Sequence, residues 1–430
     1  MYHTCSSPYQ AQQPPRRLRR HPSFERRGNG PLSSPYEGEV PEAEGLWGLR
    51  WYNLYMPGLY VHLPFCVKKC HYCNFVITLK GSPAKENQFL KIFEKEILHR
   101  AQEVGGKKFD TLYFGGGTPS ALGKNELTRV FSLLRSHFKF KKNAEVTLEA
   151  NPGDISAALA KNLKALGVQR VSLGAQSFHE KTLKLINRSH GAKEIYTSFE
   201  NLRNAGFDNI NLDLMLSLPG ETLADLQFSL SQLKLLNPDH VSIYELVLEN
   251  KTVFKKRFEK GKLPLPDEDL QTLMLQTARA FLKNNGWHPY ELLNYAKKGK
   301  ESTHNKIYWR NEEYLGLGPG AFSYLDRKRF QYAATFEEYM QKVAANNWTN
   351  FEEEILSAEK KESESFLLAL RTKSGADLKK FHRWIKKNED SAQELTQKGL
   401  IQKKKGKIQL TDRGQLFAET VFSEFSSGVS

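Results

Sequence analysis

Three cysteines, Cys66, Cys70 and Cys73, follow one another with the spacing C-x3-C-x2-C. Thiolates this close can hold three corners of a 4Fe-4S cube and leave the fourth iron open to a substrate or cosubstrate. A four-cysteine electron-transfer site has no such opening. The one other cysteine, Cys5, lies far upstream. Spacing alone leaves three further readings: a disulfide with an odd thiol left over, a zinc site completed by His62 or His71, and buried, inert thiols. So few cysteines in a chain this large read as intracellular, where disulfides are rare. An apolar run from Gly58 to Leu63 leads into the cysteines as a strand, and Pro64 stops it.

The elements that must position these thiols alternate from Gly58 onward, as expected of βα units around a parallel sheet. Strands are expected at Thr111–Phe114, Glu145–Glu149, Arg170–Gln176, Asn209–Met215 and Val241–Tyr244, with helical periods over 84–102, 223–235 and 269–284. About six such units are too few for a full eight-stranded barrel. The expected class is therefore α/β, a partial (β/α)6 barrel. Cys66, Gly116, Thr118, Glu149, Gln176 and Asp213 all fall at or just past the C-terminal end of a strand. That rim is where such sheets build sites. The run Gly115-Gly116-Gly117 is either a tight turn or a backbone that a ligand approaches closely.

Composition narrows the class. The net charge of +15 invites a nucleic-acid reading, but the lysines are scattered, as on a solvated surface. No run of about 18 apolar residues is present and no secretory signal opens the chain, so a cytoplasmic protein is expected. Residues 1–55 hold seven Arg, seven Pro and no Lys, and read as a disordered or spurious extension with Met56 the true initiator. Residues 56–290 form the expected core, 291–350 a connecting segment, and 351–430 a small C-terminal domain. Its pattern of helices, with one expected over 376–384, and a hairpin turning at Lys403-Lys404-Lys405 is winged-helix-like. Winged helices often bind DNA, which supplies a rival reading.

Tyr60, His62, Pro64, Cys66, Cys70, Tyr72 and Cys73, then Gly115-Gly116-Gly117-Thr118-Pro119, then Glu149, Asn151 and Pro152, resemble the radical S-adenosylmethionine superfamily. Within it the chain is similar to the group of oxygen-independent coproporphyrinogen III oxidases and their relatives, from Leu59 to about Phe425. The resemblance implies that the open iron chelates the amino and carboxylate groups of S-adenosylmethionine, and that one electron cleaves the sulfonium to a 5′-deoxyadenosyl radical. It assigns Tyr60, Tyr72, Gly116, Gly117, Thr118, Glu149, Gln176, Arg188 and Asp213 to the cosubstrate.

The group has two branches. The oxidase carries a further cysteine two residues after its third cluster ligand, where this chain has Phe75. The heme chaperones have an aromatic residue there and a histidine–tyrosine–tryptophan motif, matched by His304, Asn305, Tyr308 and Trp309. The resemblance thus implies heme as a ligand with His304 in contact, heme-accepting proteins and an electron donor as partners, and no coproporphyrinogen oxidase activity. The oxidase is the alternative. The nucleic-acid reading gives no role to the three cysteines or to His304, so no nucleic acid is expected, and the resemblance implies a C-terminal domain that covers the barrel mouth. Glu313 to Phe322 is another family match, its glycines carrying the backbone near the site.

Overall fold

The computed structural model describes residues 55–426, so the expectation made for residues 1–55 lies outside the described residues except at Tyr55, which opens the first strand. Six strands form the frame: β1 (Tyr55–Leu63), β2 (Lys108–Gly116), β3 (Lys139–Ala150), β4 (Arg170–Gln176), β5 (Ile210–Leu216) and β6 (His240–Glu245). Each pairs with the next in parallel. A parallel sheet covered on both faces needs apolar residues on both, and every residue of β4 and β5 is buried. Helix Pro83–Glu103 shows the complementary period, burying Phe89, Leu90, Phe93 and Ile97 at spacings of one helical face.

The glycine-rich stretch does more than pass near the site. It supplies β7 (Tyr314–Leu317), which pairs in parallel with the free edge of β1. Three antiparallel strands continue the sheet beyond it, and Asn294–Ala296 with His288–Pro289 close the far edge at β6, making twelve strands in all. Residues 291–350 are thus woven into the central sheet.

The C-terminal part has its own core around Phe366, Leu370, Trp384, Leu395, Ile408, Val421 and Phe425. Helix, strand, two helices and a hairpin follow in winged-helix order. The three lysines do sit at the hairpin turn, where Lys405 and Gly406 both take positive φ. The helix expected over 376–384 is corrected. Ala376–Asp377 pairs with the hairpin as a strand, and the helix runs His382–Lys387. The expected cover over the barrel mouth is also corrected: this domain docks on Tyr290, Glu291, Asn311 and Arg329, and none of its described residues lines the cleft at the strand tips that carry the cysteines.

Candidate functional site

A cleft opens at the C-terminal ends of β1 to β6. Cys66, Cys70, Tyr72, Cys73, Gly116 and Gly117 line it, together with Thr118, Glu149, Gln176, Arg188 and Asp213. Strand tips separated by up to about 180 residues of chain converge there because each parallel strand ends at the same rim.

Cys66 ends a two-residue strand, Phe65–Cys66, and its Sγ lies 3.4 Å from the Thr118 hydroxyl. The glycine loop locks onto this segment: Gly117 N–H donates to Leu63 O at 2.9 Å and Thr118 N–H to Phe65 O at 2.8 Å. A Cβ on Gly117 would stand 2.6 Å from the Pro64 backbone. A Cβ on Gly116, whose φ is +100°, would stand 2.5 Å from the His62 ring. The glycines therefore make room first for the cysteine segment and only then for a ligand.

Arg188 ties the cysteine loop to the strand tips. Its Nη1 donates toward Cys70 Sγ and the Tyr72 hydroxyl, each at 3.4 Å, while Nη2 donates to Asn151 Oδ1 at 2.5 Å and Gly174 O at 2.8 Å. Gln176 sits at φ +65° beyond a bulge in β4 and accepts from the Tyr244 hydroxyl. Asp213 accepts from Asn211 Nδ2 at 2.7 Å and the Ser172 hydroxyl at 3.3 Å. Glu149 accepts from the Tyr113 hydroxyl at 2.8 Å. Burial, with the Asp213 charge adding, pushes Glu149 up to about 8, and burial raises Asp213 as well. Two carboxyls in one cleft, reluctant to ionise alone, are suited to a cationic ligand.

The cysteines are free thiols. Burial raises Cys66 to about 11 and Cys73 to about 12, and each is raised further by Cys70. Neither histidine of the zinc alternative lines the cleft with the cysteines. His62 donates from Nε2 to Val76 O at 2.7 Å and faces Tyr60 with Nδ1; His71 donates from Nδ1 to Leu185 O at 2.8 Å. Among the described residues no three His, Cys, Asp or Glu side chains converge on a single ion. Three thiols around one wall of a cleft suit a cage with separate iron corners. Arg188 Nε is buried with no partner, a donor that an acidic ligand group entering the cleft would satisfy. The donor set therefore fits a three-cysteine cluster with an amino-acid cosubstrate beside it.

Two expected residues are not brought to the cleft. Tyr60 is buried beneath it, among Tyr113, Ile307, Tyr308 and Tyr314. His304 is fully buried on helix Thr303–Trp309, and burial lowers it to about 3. The Thr111 hydroxyl donates to Pro57 O, so His304 Nδ1–H donates to Thr111 at 2.6 Å and Nε2 accepts from Tyr308 at 2.9 Å. No lone pair on the ring faces a heme iron in this arrangement. The helix packs on Gly58, Thr111 and Glu145, toward the strand starts and away from the cysteines. Sequence reasoning passed over Asn151 and Tyr244 as site residues, although both stand at strand ends: Asn151 anchors Arg188, and Tyr244 holds Gln176.

A family model described as the radical SAM superfamily matches residues 60–233. The heme chaperone HemW of Bacillus subtilis is 35% identical over 377 residues, covering 86% of this chain and 99% of that protein. HemW of Lactococcus lactis is 35% identical over 372 residues, covering 85% and 96%. Among solved structures, coproporphyrinogen III oxidase (HemN) from Escherichia coli, a radical SAM enzyme, superposes with a TM-score of 0.78 at 25% identity, covering 87% of this chain and 91% of that one. The chain belongs to the radical SAM superfamily, in the family of the HemW heme chaperones.

Proposed function

We propose that this chain is a heme chaperone that carries a 4Fe-4S cluster on Cys66, Cys70 and Cys73, binds S-adenosylmethionine beside it, and delivers heme to acceptor proteins. The observation that carries the reading is the full-length match to HemW proteins, set beside Phe75, which lines the cleft where the oxidase branch has a cysteine. A phenyl ring cannot do the proton or radical chemistry of a thiol, which disfavours the coproporphyrinogen reaction.

Cys66, Cys70 and Cys73 would hold the cluster, which when bound and reduced by a donor protein would supply one electron to the sulfonium of the cosubstrate. The chain's own residues do the rest. Glu149 and Asp213 accept from the ammonium and ribose hydroxyls, Arg188 offers its free Nε–H to an acidic group, and Tyr72 gives an aromatic face to the adenine. Keeping three thiols reduced requires a reducing compartment, which supports a cytoplasmic location. No helix of the described residues is long and apolar enough to cross a membrane.

Titration of the anaerobic, cluster-loaded protein with heme, followed by its Soret band, tests the reading. Saturable binding near one heme per chain supports it; binding that never saturates overturns it.

A further inference from the structure

We propose that heme lies in the groove between helix Thr303–Trp309 and the C-terminal domain, at the end of the barrel opposite the cysteines. This rests on the heme-chaperone reading and adds the place and the contacts.

The histidine–tyrosine–tryptophan motif divides across its helix. His304 and Tyr308, four residues apart, point into the barrel floor, whereas Lys306, Trp309 and Arg310 share the other face. That outward face lines a groove completed by residues around Thr372–Phe381 of the C-terminal domain. Sites between packed domains are common places for flat, largely apolar ligands.

The groove's chemistry selects the occupant. Trp309, part-exposed on its helix, offers aromatic surface on one side, while Phe381 lies in the C-terminal core beneath the other. Arg371 covers the Trp309 ring at 4.6 Å and pairs with Glu291 at 3.7 Å, holding the indole in place. The indole Nε1–H is buried with no partner. Four cations, Lys306, Arg310, Lys373 and Lys380, stand at the groove against two carboxylates, Glu301 and Asp377. Asp377 is already engaged by the backbone N–H groups of Lys379 and Lys380, Glu301 lies 3.9 Å from Lys306, and Arg310 lies 3.9 Å from Glu312, which leaves Lys373 and Lys380 as the cations the test removes. The cationic surplus of the lining and the Trp309 indole match a flat tetrapyrrole with two propionates.

The lining contains no histidine, cysteine or methionine, and its one phenol, Tyr290, is hydrogen-bonded to His240 at 2.9 Å. The groove therefore grips the macrocycle by its faces and propionates and leaves iron ligation to the acceptor. Iron-free protoporphyrin IX should bind there as heme does, and S-adenosylmethionine at the far end should not alter the affinity.

The test titrates heme and, separately, protoporphyrin IX into full-length, cluster-loaded wild type and into a Lys373→Glu, Lys380→Glu double variant. Both lysines are exposed, so the fold should persist, and unchanged iron content checks it. The expected result is comparable binding of both macrocycles by wild type and a loss of roughly tenfold or more for both in the variant. Heme binding that is equal in wild type and variant overturns the groove and leaves the chaperone reading standing. Failure of wild type to bind heme overturns that reading, and the groove with it.

Discussion

Tyr113 donates its hydroxyl hydrogen to Glu149 Oε1 at 2.8 Å, reaching the cleft from below. The same ring stacks on His304 with 4.9 Å between centroids. One side chain thus forms part of the floor beneath the cysteine cleft and part of the packing of the helix that closes the opposite end. The two ends are joined by a rigid, fully buried residue, and each can be tested without dismantling the other.

The first prediction concerns pH. Glu149 is pushed up to about 8 from an ordinary 4.5. The folded chain thus keeps a proton that the unfolded chain releases, and this group's contribution to stability falls between about pH 4.5 and 8. A cationic cosubstrate that needs the carboxylate must displace that proton. Affinity for S-adenosylmethionine, measured by calorimetry, should rise as pH approaches 8, by at most tenfold per unit, and level off above it. Tyr113→Phe removes a donor that favours the ionised form and should move the inflection upward; Glu149→Gln should give weak, flat binding.

Neighbouring glycines should respond differently. Gly116→Ala places a methyl on a backbone at φ +100° and against the His62 ring, so it should destabilise the chain by on the order of 1–3 kcal/mol and loosen the cysteine loop even without ligand. Gly115 has no positive φ, and its added Cβ would meet the Glu149 carboxylate first, at 3.0 Å. Gly115→Ala should keep the urea midpoint near wild type and weaken cosubstrate binding. Equal effects at both positions would contradict the geometry.

His304→Ala separates packing from ligation. The ring makes two buried hydrogen bonds and a stack, so its removal should cost about 3 kcal/mol in unfolding free energy. Heme affinity should stay within a factor of about two, since the groove lies on the other face of the helix. A large loss of heme binding with stability unchanged would restore the imidazole as a ligand.

Arg188→Met is expected to be costly at the other end. It leaves Asn151 Oδ1 and Gly174 O without their charged donor and releases the tether to Cys70, for a loss of about 3 kcal/mol in a urea titration. Cluster iron per chain should fall with it, because the cysteine loop is no longer held to the strand tips.

The rim was legible in the chain because it depends on order alone. A polar residue after an apolar run marks a strand end, and parallel strands bring their ends together. Depth was not legible. Tyr60 stands three residues before the end of β1, about 10 Å below the rim at ~3.3 Å per residue, and so lands in the floor. His304 could not be placed either, because its direction is set by a distant partner: Gly58 has no side chain, and the imidazole packs against it. The strand Tyr314–Leu317 was hidden by its glycines, which read as turn signals. Gly316 and Gly318 are needed there because added Cβ atoms would strike Phe322 O at 2.1 Å and His62 O at 2.3 Å.

The central claim is that this chain handles heme and does not make its precursor. Anaerobic, cluster-loaded protein is incubated with coproporphyrinogen III, S-adenosylmethionine and a reductant, with heme supplied in a parallel sample. The account predicts no protoporphyrinogen IX in the first and a heme complex of one per chain in the second. Multiple-turnover formation of protoporphyrinogen IX would contradict it.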